Sequence, residues 1–159
     1  MNRDQIFIEM ALKAWNVQIS RADKFFSSVS DSDLTKEIAP GKNRIVYLLG
    51  HLITVNEGMI SLFSLGQRTY AHWDEAFIKN PDRKIENVAS AGELRAAWKE
   101  SNERLNALFS GMTAENWFGR HTSMTDEDLV KEPSRNKLSV LLNRTSHVAY
   151  HLGQLVLAK

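Results

Sequence analysis

The chain has 159 residues, 43% hydrophobic and 25% charged, with 20 basic and 19 acidic side chains and a formal net charge of +1. That is the size of one domain with a sizeable core and the composition of an ordinary globular protein, which favours neither a disordered nor a fibrous state. Balanced charge without a block of one sign recommends neither nucleic acid nor a membrane as partner, and the absence of cysteine removes disulfides, thiolate ligands and a cysteine nucleophile together.

The N-terminal residues lack the uninterrupted apolar core of a signal peptide, because Glu9 and Lys13 break it. No apolar run approaches the roughly 20 residues needed to span a bilayer, so a cytoplasmic protein is expected. Phe7, Ala11, Ala14, Trp15, Ala22, Phe25, Phe26 and Val29 recur at helical spacing and predict one long amphipathic helix over about residues 3–29. Asp31-Ser32-Asp33 and Pro40-Gly41 break the pattern. Asn43 is a candidate N-cap for a second helix running to about Leu65, with Gly66 as its stop.

Residues 67–89 carry no sustained period, and Asn80-Pro81 marks a turn. Ser90-Ala-Gly-Glu93 has the form of a capping box and opens a third helix that ends near Ser110-Gly111. A polar loop with Pro133 near its end follows, and a fourth helix starts between Ser134 and Asn136 and continues almost to Lys159. No strand-like alternation is convincing, so the fold class is all-α. The connection of about 20 residues after the second helix argues against simple up-down-up-down connectivity; loops of that length are often functional or cross over between non-adjacent helices.

The two halves resemble each other weakly. Phe26–Leu34 parallels Phe109–Trp117 at the ends of the first and third helices, and Asn43–His51 parallels Asn136–Arg144 at the starts of the second and fourth. A helix–turn–helix unit used twice makes a four-helix bundle.

Among five histidines, His147 and His151 in Ser146-His-Val-Ala-Tyr-His-Leu-Gly-Gln154 lie four residues apart in a predicted helix. Both imidazoles then project from one face and can converge on one metal ion. They lie beside the apolar stripe of Leu138, Leu141, Leu142, Val148, Leu152 and Leu155, which suits a site at one end of a bundle core. His51, among Leu48, Leu49, Leu52 and Ile53, is the candidate third ligand. Its neighbour Gly50 costs about 1 kcal/mol in mid-helix against alanine, which points to a packing reason. Three histidines from two helices form a neutral-imidazole site with open coordination positions. The competing reading is two histidines on a bundle surface or satisfied within its core; His72 and His121 are expected at the surface of loops. Tyr47, Asn143, Arg144 and Gln154 stand one turn from a ligand and can orient an imidazole or hold a ligand near the metal. Val148 occupies the place of the glutamate that follows the first histidine in zinc proteases, so the motif supplies no general base and names no catalytic residue.

Taken together, Gly41-Lys-Asn-Arg-Ile-Val-Tyr-Leu-Leu-Gly-His51-Leu and His147-Val-Ala-Tyr-His151-Leu-Gly-Gln154 resemble the DinB/YfiT-like superfamily of metalloenzymes, over essentially the whole chain as a single domain. The resemblance implies an up-down-down-up four-helix bundle with a long crossover between helices 2 and 3. It also implies a metal triad at His51, His147 and His151 around nickel, zinc or another divalent ion, and often a homodimer. Relatives of that family include transferases that use bacillithiol, mycothiol or glutathione.

The leading expectation is therefore a metal-dependent transferase that activates a low-molecular-weight thiol for attack on a small electrophilic substrate, with Arg144 or Gln154 holding a carboxylate or amide of the thiol cofactor. A metal-hydroxide hydrolase of a small ester or amide is the second enzyme reading. It lacks a nameable base, since Glu57 lies six residues from His51 and faces elsewhere. A non-catalytic metal-binding or stress-response module is the third reading.

Overall fold

The computed structural model describes residues 2–158, so Lys159 lies outside the described residues. Four long helices carry the architecture: α1 (Arg3–Ser28), α2 (Ile45–Leu62), α4 (Ala91–Ser110) and α7 (Lys137–Leu155). Short helices α3 (Asp74–Phe77), α5 (Ala114–Phe118) and α6 (Asp126–Lys131) lie in the connections, with single 3-10 turns at Asp33–Thr35, Ala71–Trp73 and Val156–Ala158. No named strand occurs among the described residues, and one isolated bridge joins Glu37 to Arg44. The fold is all-α.

Around the bundle α1 packs on α7 and α4, and α2 packs on the same two helices. Successive helices α1 and α2 therefore lie across a diagonal, while the long connection joins α2 to a helix that packs directly against it. Thr122 N–H donates to the Leu62 carbonyl at 2.9 Å and Lys137 N–H to the Gly119 carbonyl at 3.1 Å. These bonds hold the start of α7 near the end of α2. The two helices consequently run antiparallel, which brings the first half of α2 beside the second half of α7.

Local chemistry explains the boundaries. The Ser90–Glu93 capping box is present: Ser90 Oγ accepts from Glu93 N–H at 3.2 Å and Glu93 Oε2 from Ser90 N–H at 2.7 Å. Asn136 caps α7 by accepting from Ser139 N–H. Asn43 does not cap α2. The helix starts one residue later, after Arg44, whose backbone N–H and guanidinium both donate to Asp82 from the crossover. A carboxylate 38 residues away thus takes the place of a local cap. Gly66 does not stop α2 either. Ser64 takes the left-handed conformation (φ 60°), Leu65 N–H donates to the Ile60 carbonyl and Ser64 N–H to the Ser61 carbonyl, the double closure of a Schellman motif. Thr113 and Thr125 open α5 and α6 with capping boxes of their own in the loop expected to be irregular.

The core is continuous from Ile8 to Leu155. In α1 the buried stripe is Ile8, Ala11, Trp15, Ile19, Ala22, Phe25 and Phe26. Phe7, expected in that stripe, lies one residue, or about 100°, off it and is 59% exposed. Trp15 meets Phe109 and Phe63 meets Trp117 edge to face, and the tilted rings of Phe109 and Trp117, with centroids 5.3 Å apart, join the two pairs. At 1.5 Å per residue, this cluster at the end of α2 lies about 18 Å along the helix from His51. By length and composition α2 could cross a membrane, but 67% of it is buried within the bundle; its hydropathy is that of the central core helix.

The crossover is pinned by polar contacts. Glu57 is fully buried, and its carboxylate accepts from Tyr70 N–H at 2.8 Å and Ser101 Oγ at 3.3 Å. Arg68 bridges Asp74 and the Thr54 carbonyl. These contacts deliver α3 to the middle of α2, where the Phe77 ring lies over Gly50. A Cβ on Gly50 would fall 2.5 Å from that ring, whereas one on Gly58 would meet nothing within 4 Å. Gly58→Ala should therefore raise stability by up to about 1 kcal/mol through helix propensity. Gly50→Ala should lower it, because overpacking at about 1–3 kcal/mol exceeds the same gain. Chemical denaturation of the two variants checks the opposite signs.

Candidate metal centre

His51 on α2 and His147 and His151 on α7 come together as the sequence spacing predicts. One ring nitrogen from each lies within 4.8 Å of the other two. His147 Nε2 is 3.3 Å from His51 Nε2 and 3.0 Å from His151 Nε2. The rings meet edge to face, with the His147 and His151 centroids 4.5 Å apart. His151 is 9% exposed, and the other two are partly buried.

The outer nitrogens determine what the inner ones present. His51 Nδ1 lies 2.7 Å from the Phe77 carbonyl; a carbonyl only accepts, so Nδ1 carries the proton and Nε2 is left with its lone pair. His151 Nδ1 donates in the same sense to Gln154 Oε1 at 2.8 Å, and Gln154 Nε2 donates to Tyr150 Oη at 3.1 Å. His147 Nδ1 is buried without a protein partner. Two lone pairs thus face His147 Nε2, and one proton there would satisfy only one of them. A cation satisfies all three nitrogens at once. Ligands about 2.0–2.1 Å from a tetrahedral ion sit about 3.3 Å apart, close to the spacings found. The residues present fit a divalent ion held by three imidazoles.

Electrostatics point the same way. Burial holds all three imidazoles below their ordinary range, His147 down to about 4. The Phe77 carbonyl opposes this at His51 and Gln154 opposes it at His151, while Arg144 adds to it at His51 and His147. No carboxylate acts on any of the three. The imidazoles are therefore kept neutral, which is the ligating form.

The expected flanking residues divide. Tyr47 stacks on His51, with centroids 6.1 Å apart and planes 10° apart, and its hydroxyl donates to the Asn80 carbonyl. Gln154 has both ends of its amide engaged, which makes it a positioning residue for His151. Arg144 is partly buried beside the triad, and Asn143 is exposed to solvent. His72 is exposed as expected, but His121 is partly buried with its Nδ1 enclosed. Glu57 faces the crossover, not the histidines. Two contributors carried little sequence signal: the Phe77 backbone carbonyl, and Tyr150, whose four-residue spacing to Gln154 was the available cue.

A family model described as the DinB superfamily matches residues 14–155. The chain belongs to the DinB superfamily. A search of curated proteins gave no match. Among solved structures, a mutant of a mycothiol-dependent maleylpyruvate isomerase aligns with a TM-score of 0.63 at 14% identity, covering 98% of this chain and 63% of that one. The likeness establishes a shared fold, and the chain spans less than two thirds of that isomerase's length.

The depressed imidazoles give the metal-free protein a defined pH response. An unfolded histidine takes up a proton near pH 6.5, whereas folded His147 resists until about pH 4. The unfolded state therefore binds more protons between these values, so the contribution is fully present above about pH 6.5 and is lost as pH falls toward 4. Thermal unfolding of the metal-free protein should show this loss, and His147→Asn should reduce it. Parallel profiles for the two proteins would contradict the assignment.

Proposed function

We propose that this DinB-superfamily protein is a divalent-metal-dependent enzyme that activates a low-molecular-weight thiol and delivers it to a small electrophile. The observation that carries the reading is the convergence of three imidazole Nε2 atoms, two with their lone pairs fixed inward by partners at Nδ1, with no carboxylate among them. A bound divalent ion would supply Lewis acidity, lowering the pKa of a thiol or water in its open positions. His51, His147 and His151 would hold it, while the Phe77 carbonyl and Gln154 fix the ring orientations of two ligands. An all-imidazole donor set suits zinc or nickel.

The thiol part of the proposal draws on two supports. The chain has no cysteine, so a thiol must come from outside. The structural neighbour is, by its name, mycothiol-dependent. Against a hydrolase, Glu57 is engaged at Tyr70 and Ser101 and offers no base at the histidines.

Two measurements test the proposal. Purified protein should contain one divalent ion per chain, lost in both His51→Ala and His147→Ala; unchanged metal in both variants ends the triad assignment. The metal-loaded protein should then consume a generic electrophile with at least one of bacillithiol, mycothiol or glutathione, and no metal-dependent turnover with any of them would overturn the transferase reading. Gln154→Leu should lower metal affinity about 10- to 100-fold, as loss of a partner behind a ligand does, with the helical content unchanged by circular dichroism.

A further inference from the structure

Five arginines are partly buried: Arg44, Arg68, Arg95, Arg104 and Arg144. Four have their guanidinium groups committed within the chain. Arg44 pairs with Asp82 at 2.7 Å and Arg68 with Asp74 at 2.5 Å. Arg95 donates to the Phe26 and Val29 carbonyls, closing the end of α1, and Arg104 donates to the Gln67 carbonyl and the Thr69 hydroxyl. Arg144 is the exception. No ion pair or hydrogen bond holds its guanidinium among the described residues, and its Nε, like that of Arg68, is enclosed without an acceptor. Enclosing part of a guanidinium without a partner is costly, and at the four other places the chain supplies at least one acceptor.

The position of Arg144 says what the exception is for. It lies one turn before His147 on α7, close enough for its charge to act on both His51 and His147. In the internal repeat, Arg144 occupies in the second half the place that His51 occupies in the first. Three neutral ligands leave a divalent ion its full double charge. With Arg144 beside a bound ion and no carboxylate acting on the imidazoles, the centre would carry excess positive charge that the protein does not neutralise. The missing partner is an anion.

We propose that Arg144 anchors a carboxylate of the bound small molecule, so that the site selects carboxylate-bearing ligands. The planar fork of a guanidinium matches the two oxygens of a carboxylate, and a partly buried, unpaired fork gives up little of its hydration on binding. The inference deepens the metal-enzyme reading and rests on it for the ion, while the anchor itself is a property of Arg144. The carboxylate can belong to the thiol or to its electrophilic partner, and these two sources are separable.

The test uses the full chain loaded with cobalt(II), with succinate as the carboxylate probe and calorimetry as the readout. Arg144→Gln should weaken succinate binding about 10- to 100-fold, the worth of a charge-assisted hydrogen-bonded pair, with one ion still bound per chain. Arg144→Lys, which keeps the charge and loses the fork, should fall between. In metal-free wild-type protein the Arg144 Nε–H resonance should shift on adding succinate and stay fixed on adding succinamide. Succinate binding that persists with saturating 3-mercaptopropionamide, a neutral thiol, assigns the carboxylate to the electrophile; mutual exclusion assigns it to the thiol. Succinate affinity within twofold of wild type in metal-loaded Arg144→Gln overturns the anchor and leaves the metal centre standing. Wild-type protein that binds no ion, yet shows the Nε–H response, overturns the metal reading and leaves the anchor standing.

Discussion

The contact between Gly50 and Phe77 joins the fold to its chemistry. Because residue 50 has no side chain, the Phe77 ring can lie directly on α2. That approach places the Phe77 carbonyl 2.7 Å from His51 Nδ1, which sets the tautomer of the one ligand that α2 contributes. Without it, His51 would still be on the correct helix face, but its ring would be free to rotate or to turn its protonated nitrogen inward. The glycine's propensity cost of about 1 kcal/mol is thus the condition for a close approach whose consequence is a ligand orientation. Everything that holds the crossover in place, including Glu57 at Tyr70, Arg68 at Asp74 and Asp82 at Arg44, acts on the centre through that contact.

Charge in this protein is arranged by subtraction. The bundle buries a carboxylate at Glu57 and closes it with donors, and it pairs or caps most of its partly buried arginines. At the histidines it does the reverse: burial keeps three imidazoles neutral, and the only fixed charge acting on them is positive. A structural polar cluster tends toward internal balance, because uncompensated buried charge is costly. A binding site is where the imbalance is left for a ligand to complete. That contrast distinguishes the histidine cluster from the Glu57 cluster, although both are buried and polar.

What was legible in the sequence was what depends on neighbours within a turn. The His147–His151 pair, the Ser90–Glu93 box and the long helices are all local patterns, and each appears where spacing put it. His51 was legible because the glycine beside it needed a reason. The boxes at Thr113–Asn116 and Thr125–Asp128 had the same form as that at Ser90, but helices of five or six residues are too short to show a period. The start of α2 was misplaced because its cap comes from Asp82, 38 residues away, and its end because serine at Ser64 adopts a conformation for which glycine is the usual signal. The Phe77 carbonyl could not be seen at all, since every residue carries one.

The weak repeat between the halves gains meaning from this difference between local and distant information. Leu34 and Trp117, paired by the alignment, are both buried in short helical turns that follow α1 and α4, and α2 and α7 then begin from the paired Asn43 and Asn136 regions. Two similar units packed antiparallel through α2 and α7 set equivalent positions at different levels along the bundle, with His51 and Arg144 each in the first half of its helix. One unit carries histidine there and the other arginine. The second unit then adds His147 and His151 further along α7. It is these two residues that reach the level of His51, and Arg144 stands one turn before them, which makes the centre asymmetric, with the imidazoles at one level and a cation a turn away. An asymmetric centre of this kind orients whatever it binds, because the ligand's donor atom and its negative charge are required at different points.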